Sequence, residues 1–286
     1  MREKITIVEI KDLMDKLLKA THPLAETHPE VDKKYHYVRV IEGFYRRNHF
    51  TLLAIRYLAD APALADSTVV LARKMTEDVI SIEYMLLNGK EDMAKRFQDF
   101  FYIQAFQEIE HRKRLGYEIP SKEEMAKLME RVERLKPQFW HEKSNDFMHS
   151  WSGKSAEQMW IELAKQEIFR KHDIHAVLLG YTYGSWKNHP NPADVLTYMT
   201  NELRNTCSDS ALKQATILSM MDYIRLTTRY IDEIRQIKQK NVYEDINKVI
   251  KEVFGYMDDE RFALDKNKLA VMESNTNEVK KIEAKM

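Results

Sequence analysis

Apolar residues recur three and four positions apart along nearly the whole chain, and no run alternates apolar and polar positions between hairpin turns. The pattern predicts helices over about 5–20, 30–59, 66–88, 91–115, 121–135, 155–187, 192–206, 210–239 and 242–254. Several starts have a physical cause. Ser121-Lys122-Glu123-Glu124 and Ser155-Ala156-Glu157-Gln158 are capping boxes, in which the serine oxygen and the acid or amide satisfy orphan backbone donors reciprocally. Asn191-Pro192-Ala193-Asp194 sets a capping Asn, a proline at the first helical position and an acid in the first turn. The expected fold is all-α: a multi-helix bundle over 1–206, a C-terminal helical extension over 207–256, and a frayed or partner-dependent polar tail over 257–286. Pro137 to Gly153, less periodic and rich in Trp, His and Asn, reads as a connector or as an ordered loop over a site. No repeat of 20 to 50 residues points to a solenoid.

Composition narrows the class. The 286 residues include 31% charged and 44% apolar side chains but only seven Gly and seven Pro, which disfavours β-sandwich, collagen-like and disordered chains. With 45 basic and 45 acidic residues the net charge is +0, so any polyanion must meet a local basic patch. Cys207 is the single cysteine; it makes no intramolecular disulfide or Cys-rich zinc site, and a reducing, cytoplasmic location follows as the simplest expectation. Met1-Arg2-Glu3-Lys4 opens an amphipathic stretch without the apolar core of a signal peptide. Apolar runs such as 176–180 are too short to span a bilayer, so no membrane partner is expected.

The candidate chemistry lies on two helices. Ser67 to Leu87 is apolar on nearly every face, which makes that helix central, and Arg73 and Glu77 share a stripe of it with Val70, Ile80 and Tyr84. They are expected to be an at least partly buried pair: either a structural lock, or an anion-binding Arg oriented by Glu. Farther on, Tyr181, Ser185 and His189 follow at four-residue spacing. Gly180 and Gly184 on the adjoining stripe each cost a helix interior about 0.8 to 1 kcal/mol, which a close backbone crossing would offset. If the partner at that crossing is the helix of Arg73 and Glu77, an imidazole able to exchange protons near neutral pH meets an Arg-Glu pair. A serine hydrolase is not implied, because Gly184-Ser185-Trp186 inside a helix lacks the sharp turn of a nucleophilic serine.

Between Lys33 and Arg56 six basic residues, Lys33, Lys34, Arg39, Arg46, Arg47 and Arg56, stand against one acid, Glu42, with Tyr35, Tyr37, Phe44, Tyr45 and Phe50 interleaved. Val38, Ile41, Tyr45, Leu52 and Ile55 form the buried stripe with Asn48 as its polar member, while Arg39, Arg46 and Arg47 offer a face for the phosphates of single-stranded RNA. The plainer alternative is a solvated helix whose rings belong to the core. Arg170 and His175 fit the Arg-to-His spacing of HEPN-type ribonucleases, as do Arg134 and His141, but about two such matches arise by chance. His172-Asp173 resembles the dipeptide of HD-type metal phosphohydrolases, which would need His149 and Asp194 or Asp222 as further ligands, yet Arg170 and Lys171 beside it oppose a cation. Glu108-x-x-His111 has the spacing of di-iron bundles, with only Asp146-x-x-His149 as a second copy, and reads better as a charged helix end. No metal and no cofactor is expected.

Arg73-x3-Glu77 with Ile82 and Tyr84, then Trp151-x-Gly153-Lys154-Ser155, then Tyr181-x3-Ser185-x3-His189-Pro190-x-Pro192 resembles, over roughly residues 35 to 200, a widespread bacterial all-helical family classed only as a domain of unknown function. The resemblance implies a helical domain with these polar positions as its defining ones, and no activity. The expectation is a helical protein that binds or cleaves RNA without a metal, in bacterial stress or phage defence. Arg73 would hold a phosphate, His189 transfer the proton, Glu77 and Tyr181 orient them and Ser185 donate a hydrogen bond. The alternative is a non-catalytic interaction or regulatory module with a structural polar cluster. The amphipathic stretch through Leu212, Leu218, Met221, Ile224, Ile231 and Ile234 would pack on the bundle or on a second copy, making a homodimer.

Overall fold

The computed structural model describes residues 6–27, 32, 34–61, 64–166, 201–238 and 243–258, with side chains of the last long helix described over 212–237. Among these residues are eight helices and one minimal hairpin: α1 (Ile7–Glu26), α2 (His36–Leu58), α3 (Ala65–Leu87), α4 (Lys90–Arg114), α5 (Lys122–Phe139), β1 (Trp140–His141), β2 (Asp146–Phe147), α6 (Ala156–Lys165), α7 (Asn201–Lys238) and α8 (Glu244–Asp258). The all-α multi-helix bundle is what the periodicity predicts. No helix among the described residues is long and apolar enough to cross a membrane.

The centre is built by α2, α3 and α7, and the packing of α7 on α3 and on α2 is the most extensive among the described residues. Arg47 and Asn48 meet Asp78, so α2 and α3 lie side by side as an antiparallel pair. Along α7, Asp222 meets Thr76 and Arg229 meets Glu83, so α7 runs with α3; it runs against α2, because His49 meets Tyr223 while Tyr45 stacks on Tyr230. Outside this trio, α1 covers α2 and α7, α8 packs on α1, α4 lies against α2 and carries α5, and α6 packs on α3. One contiguous core results, in which Ile10, Leu52, Met75, Phe139, Leu163 and Tyr223 are all fully buried.

α7 and α8 are integral to that core. Tyr223, Tyr230, Ile234 and Val253 share the cluster with residues of α1 to α6, and the amphipathic stretch at 212–234 packs on its own chain. The periodicity splits this region into 192–206 and 210–239, whereas α7 is continuous from Asn201 to Lys238. No Gly or Pro interrupts it, and Ser208-Asp209-Ser210 is too weak a breaker to overcome burial. Its buried hydroxyls are absorbed locally: Thr216, Ser219 and Thr227 each donate to the carbonyl four residues back.

Two helices run past their predicted ends at 20 and 135, each through a proline. α1 continues through Pro23 to Glu26, holding Leu24 and Ala25 in the core, and α5 continues through Pro137 to Phe139. Phe139 is fully buried, 5.3 Å from the Phe100 ring and under the Arg96 guanidinium at 4.5 Å. Burying such a ring contributes about 1.5 to 3 kcal/mol, enough to offset a proline in a last turn, where fewer backbone bonds are at stake than in a helix interior. The connector after it contains strand pairing that the sequence pattern does not show: Trp140 opposes Phe147 and His141 opposes Asp146 across a turn with Asn145 at φ 52°. Arg96 ties the connector down by donating from Nε to the Trp151 carbonyl at 2.7 Å.

Both expected capping boxes form. Ser121 Oγ accepts from Glu124 N at 3.3 Å while Glu124 returns an acceptor to Ser121 N at 2.9 Å, and Ser155 with Gln158 repeats the arrangement. Ser121→Ala is expected to cost about 1 kcal/mol in urea denaturation with an unchanged m-value.

Candidate functional site

α3 presents a polar row along a helix that is otherwise core. Arg73 and Glu77, one turn apart, form the expected pair, with Nε donating to Oε1 at 2.9 Å; the Arg73 side chain is 13% exposed and that of Glu77 36%. The arginine is thus held at the boundary of the core with its orientation fixed from one edge. Three residues on, the Thr76 hydroxyl donates to the buried Asp222 carboxylate of α7 at 2.6 Å.

Next along α3 is Asp78, whose carboxylate is almost fully buried. Arg47 Nε donates to one of its oxygens at 3.1 Å and the guanidinium engages the other, while Asn48 Nδ2 donates at 2.7 Å. Burial pushes the Asp78 carboxyl up from its ordinary value, with Arg47 pulling the other way. Glu83, 1% exposed, closes the row: Arg225 Nε reaches Oε1 at 2.8 Å, and Arg229 grips both oxygens at 3.0 and 3.1 Å. Burial raises the Glu83 carboxyl, but the two guanidinium groups more than reverse it and hold it below the usual carboxylate range.

A second polar group sits where α1, α2 and α7 meet. His49, 1% exposed, contacts Tyr223 Oη through Nδ1 at 2.8 Å and His22 Nδ1 through Nε2 at 3.3 Å. Tyr223 Oη lies 2.8 Å from Thr21 Oγ1 and 3.0 Å from Tyr45 Oη, and Tyr45 donates to the Thr21 carbonyl at 2.9 Å. Desolvation, then the neighbouring His22, lower the His49 imidazole to about 4. Burial raises the Tyr45 hydroxyl to about 12 and lifts the Tyr223 hydroxyl well above its ordinary value. His49, Tyr45 and Tyr223 are therefore neutral at physiological pH.

The basic stretch of α2 is largely engaged within the molecule. Arg47 is committed to Asp78, Arg46 Nε lies 3.6 Å from Glu42, Arg56 pairs with Asp15 and Asp60, and Lys34 with Asp32. Arg39 is exposed and makes no ion pair among the described residues. Of the interleaved rings, Tyr37, Phe44 and Tyr45 are core, and Phe50 remains on the surface. The buried stripe is as read, Asn48 included.

Tyr181, Ser185, His189, Arg170 and His175, together with Gly180 and Gly184, lie outside the described residues. Among the described residues no cluster of three or more His, Cys, Asp or Glu is arranged to hold a metal ion. Glu108, His111, Asp146 and His149 are all exposed, as expected of charged helix and loop ends, and Asp222 is engaged by Thr76. An open cleft of about 500 Å³ lies between the last turns of α4, α5 and the hairpin, walled by Phe106, Trp140 and Phe147 with Glu110, Arg114 and Lys136 on its rim. Neither the Arg73–Glu77 pair nor the α2 arginines line it.

Three functional-looking groups escape a reading of the sequence: Asp78, Glu83 and the His22–His49–Tyr223 line. Each depends on partners 27 to 174 positions away, which no spacing encodes. The usable signal was an acid on an apolar helix face, since a carboxylate at Asp78 or Glu83 must find cations once that face is buried. No curated protein and no solved structure matches the chain. A family model does, over residues 38–206, from the start of α2 into α7, which is more than half of the sequence, so the chain belongs to the family of unknown function DUF5677.

Proposed function

We propose that the protein binds and cleaves RNA by metal-independent acid-base chemistry, with Arg73 as its phosphate-holding group. The carrying observation is the Arg73–Glu77 pair: a guanidinium 13% exposed, oriented through Nε by a carboxylate one turn away, on the central helix of the bundle. Such a group is pre-organised for planar recognition of a phosphate. In this reading His189 transfers the proton, Tyr181 and Glu77 orient the partners and Ser185 donates a hydrogen bond. Arg39 is the member of the α2 trio assigned to the RNA backbone, because Arg46 and Arg47 face carboxylates. A cytoplasmic location, a homodimeric state, and a role in bacterial stress or phage defence belong to the same reading.

The second reading, a non-catalytic interaction or regulatory module, is favoured by one observation: four of the basic residues between 34 and 56 are already neutralised by the chain's own acids. Cleavage of a mixed RNA pool separates the two. Expected are cleavage by the wild type, indifferent to EDTA, and its loss in His189→Ala and Arg73→Ala, with His189→Ala melting as the wild type does. Loss in His175→Ala alone would move the site to Arg170 and His175. No cleavage, with Arg73→Ala several degrees less stable, overturns the enzyme and leaves the structural cluster.

A further inference from the structure

Two imidazoles and a phenol stand in line from the surface of α1 to α7: Glu26, His22, His49, Tyr223. His22 Nε2 is 3.3 Å from Glu26 Oε1, and the His22 side chain is 52% exposed. His49 and Tyr223 are buried. The hydrogen count on this line allows few arrangements. Thr21 spends its hydroxyl proton on the Leu17 carbonyl at 2.8 Å and Tyr45 spends its own on the Thr21 carbonyl, so neither needs to donate to Tyr223.

With His22 neutral, its Nε2 must carry the proton, because a bare nitrogen there would face the Glu26 carboxylate. Its Nδ1 is then an acceptor, which requires His49 to be protonated on Nε2, and His49 Nδ1 in turn accepts the Tyr223 hydroxyl. With His22 protonated on both nitrogens, its Nδ1 donates to His49 Nε2. His49 must then carry its one proton on Nδ1 and donate it to Tyr223 Oη, and the Tyr223 hydroxyl turns to Thr21 Oγ1 or Tyr45 Oη. The first state holds three protons on these groups and the second four; the added one comes from solvent and resides on His22.

We propose that His22, His49 and Tyr223 form a tautomer switch, in which protonation of the half-exposed His22 moves the His49 proton from Nε2 to Nδ1 and redirects the Tyr223 hydroxyl of α7. His49 answers by tautomer and not by charge, because its buried ring, lowered to about 4, stays neutral where imidazoles ordinarily titrate. The groups facing the line are Glu26 from α1, Tyr45 from α2, Tyr230 from α7 and Tyr243 just before α8, with the Lys16–Glu252 pair tying α8 to α1 nearby. In the protonated state Tyr223 gains an acceptor on α1 or α2, so the junction of the three helices holds one more hydrogen bond.

The test is the tautomer itself, read from histidine ring 15N shifts by long-range 1H-15N NMR between pH 5 and 8 on the full chain. Expected is a His49 Nε2–H tautomer at the alkaline end that passes to Nδ1–H in step with the His22 titration, and a single pH-independent His49 tautomer in His22→Gln. Tyr223→Phe should uncouple the two rings while the amide spectrum stays dispersed. A His49 tautomer that does not change while His22 titrates overturns the switch, as does an unaltered His49 response in His22→Gln.

Discussion

Glu83→Ala is expected to lower the unfolding free energy by about 3 to 5 kcal/mol, the largest loss of any single substitution in the polar row. The carboxylate is 1% exposed and serves as the common partner of two guanidinium groups on α7, so its removal takes their shared counter-charge from a helix interface. The Arg225 and Arg229 side chains are 24% and 38% exposed and recover some water, which places the expected value toward the lower end of that range. Glu83→Gln keeps the shape but turns an amide donor toward a guanidinium, so an intermediate loss is expected. The sign with pH follows from the lowered carboxyl: the contribution is present in full above the carboxylate range and fades as the pH falls through it. Equilibrium urea unfolding checks the prediction. A loss under about 1 kcal/mol would mean that α3 and α7 are held without the Glu83 ion pairs, by apolar contact and the Thr76–Asp222 hydrogen bond.

Local features carried the fold. The helical period, the two capping boxes and the wholly apolar character of α3 each name their own element, because the cause lies within four residues of the effect. What the sequence hid was long-range. The predicted ends at 20 and 135 fall short because the burial of Leu24 and Phe139, which carries α1 past Pro23 and α5 past Pro137, depends on helices distant in the chain. The gap predicted between 206 and 210 is bridged because α7 is sustained by packing on α2 and α3, not by propensity. The same logic governs the polar residues. Arg73 and Glu77 were legible as a pair at i and i+4, whereas Arg47 looked like a nucleic-acid contact because its true partner, Asp78, sits 31 positions on across an antiparallel crossing. His49 gains its meaning only from α1 and α7, which bring His22 and Tyr223 to it from 27 and 174 positions away.

His49 also sets the acid stability of the fold. In the unfolded chain an imidazole takes up its proton near 6.5, but the buried ring, desolvated and next to His22, does so only near 4. Between these two values the unfolded state binds a proton that the folded state refuses, so stability rises with pH through the window and is level above it. At about 1.36 kcal/mol per pH unit, acidification from 6.5 to 4 is expected to remove about 3 kcal/mol through this residue alone. Glu83 acts in the same direction where carboxylates titrate and Asp78, raised by burial, in the opposite one, so the difference between two proteins that share both reports on the imidazole. Urea unfolding of the wild type and of His49→Gln at matched pH values isolates it, since the amide keeps hydrogen-bonding capacity toward Tyr223 and takes up no proton. His49→Gln should start less stable near pH 7 and lose less on acidification, and the two curves should converge toward pH 4. Parallel curves would mean that water reaches the ring in the folded state and that α1 does not seal the junction.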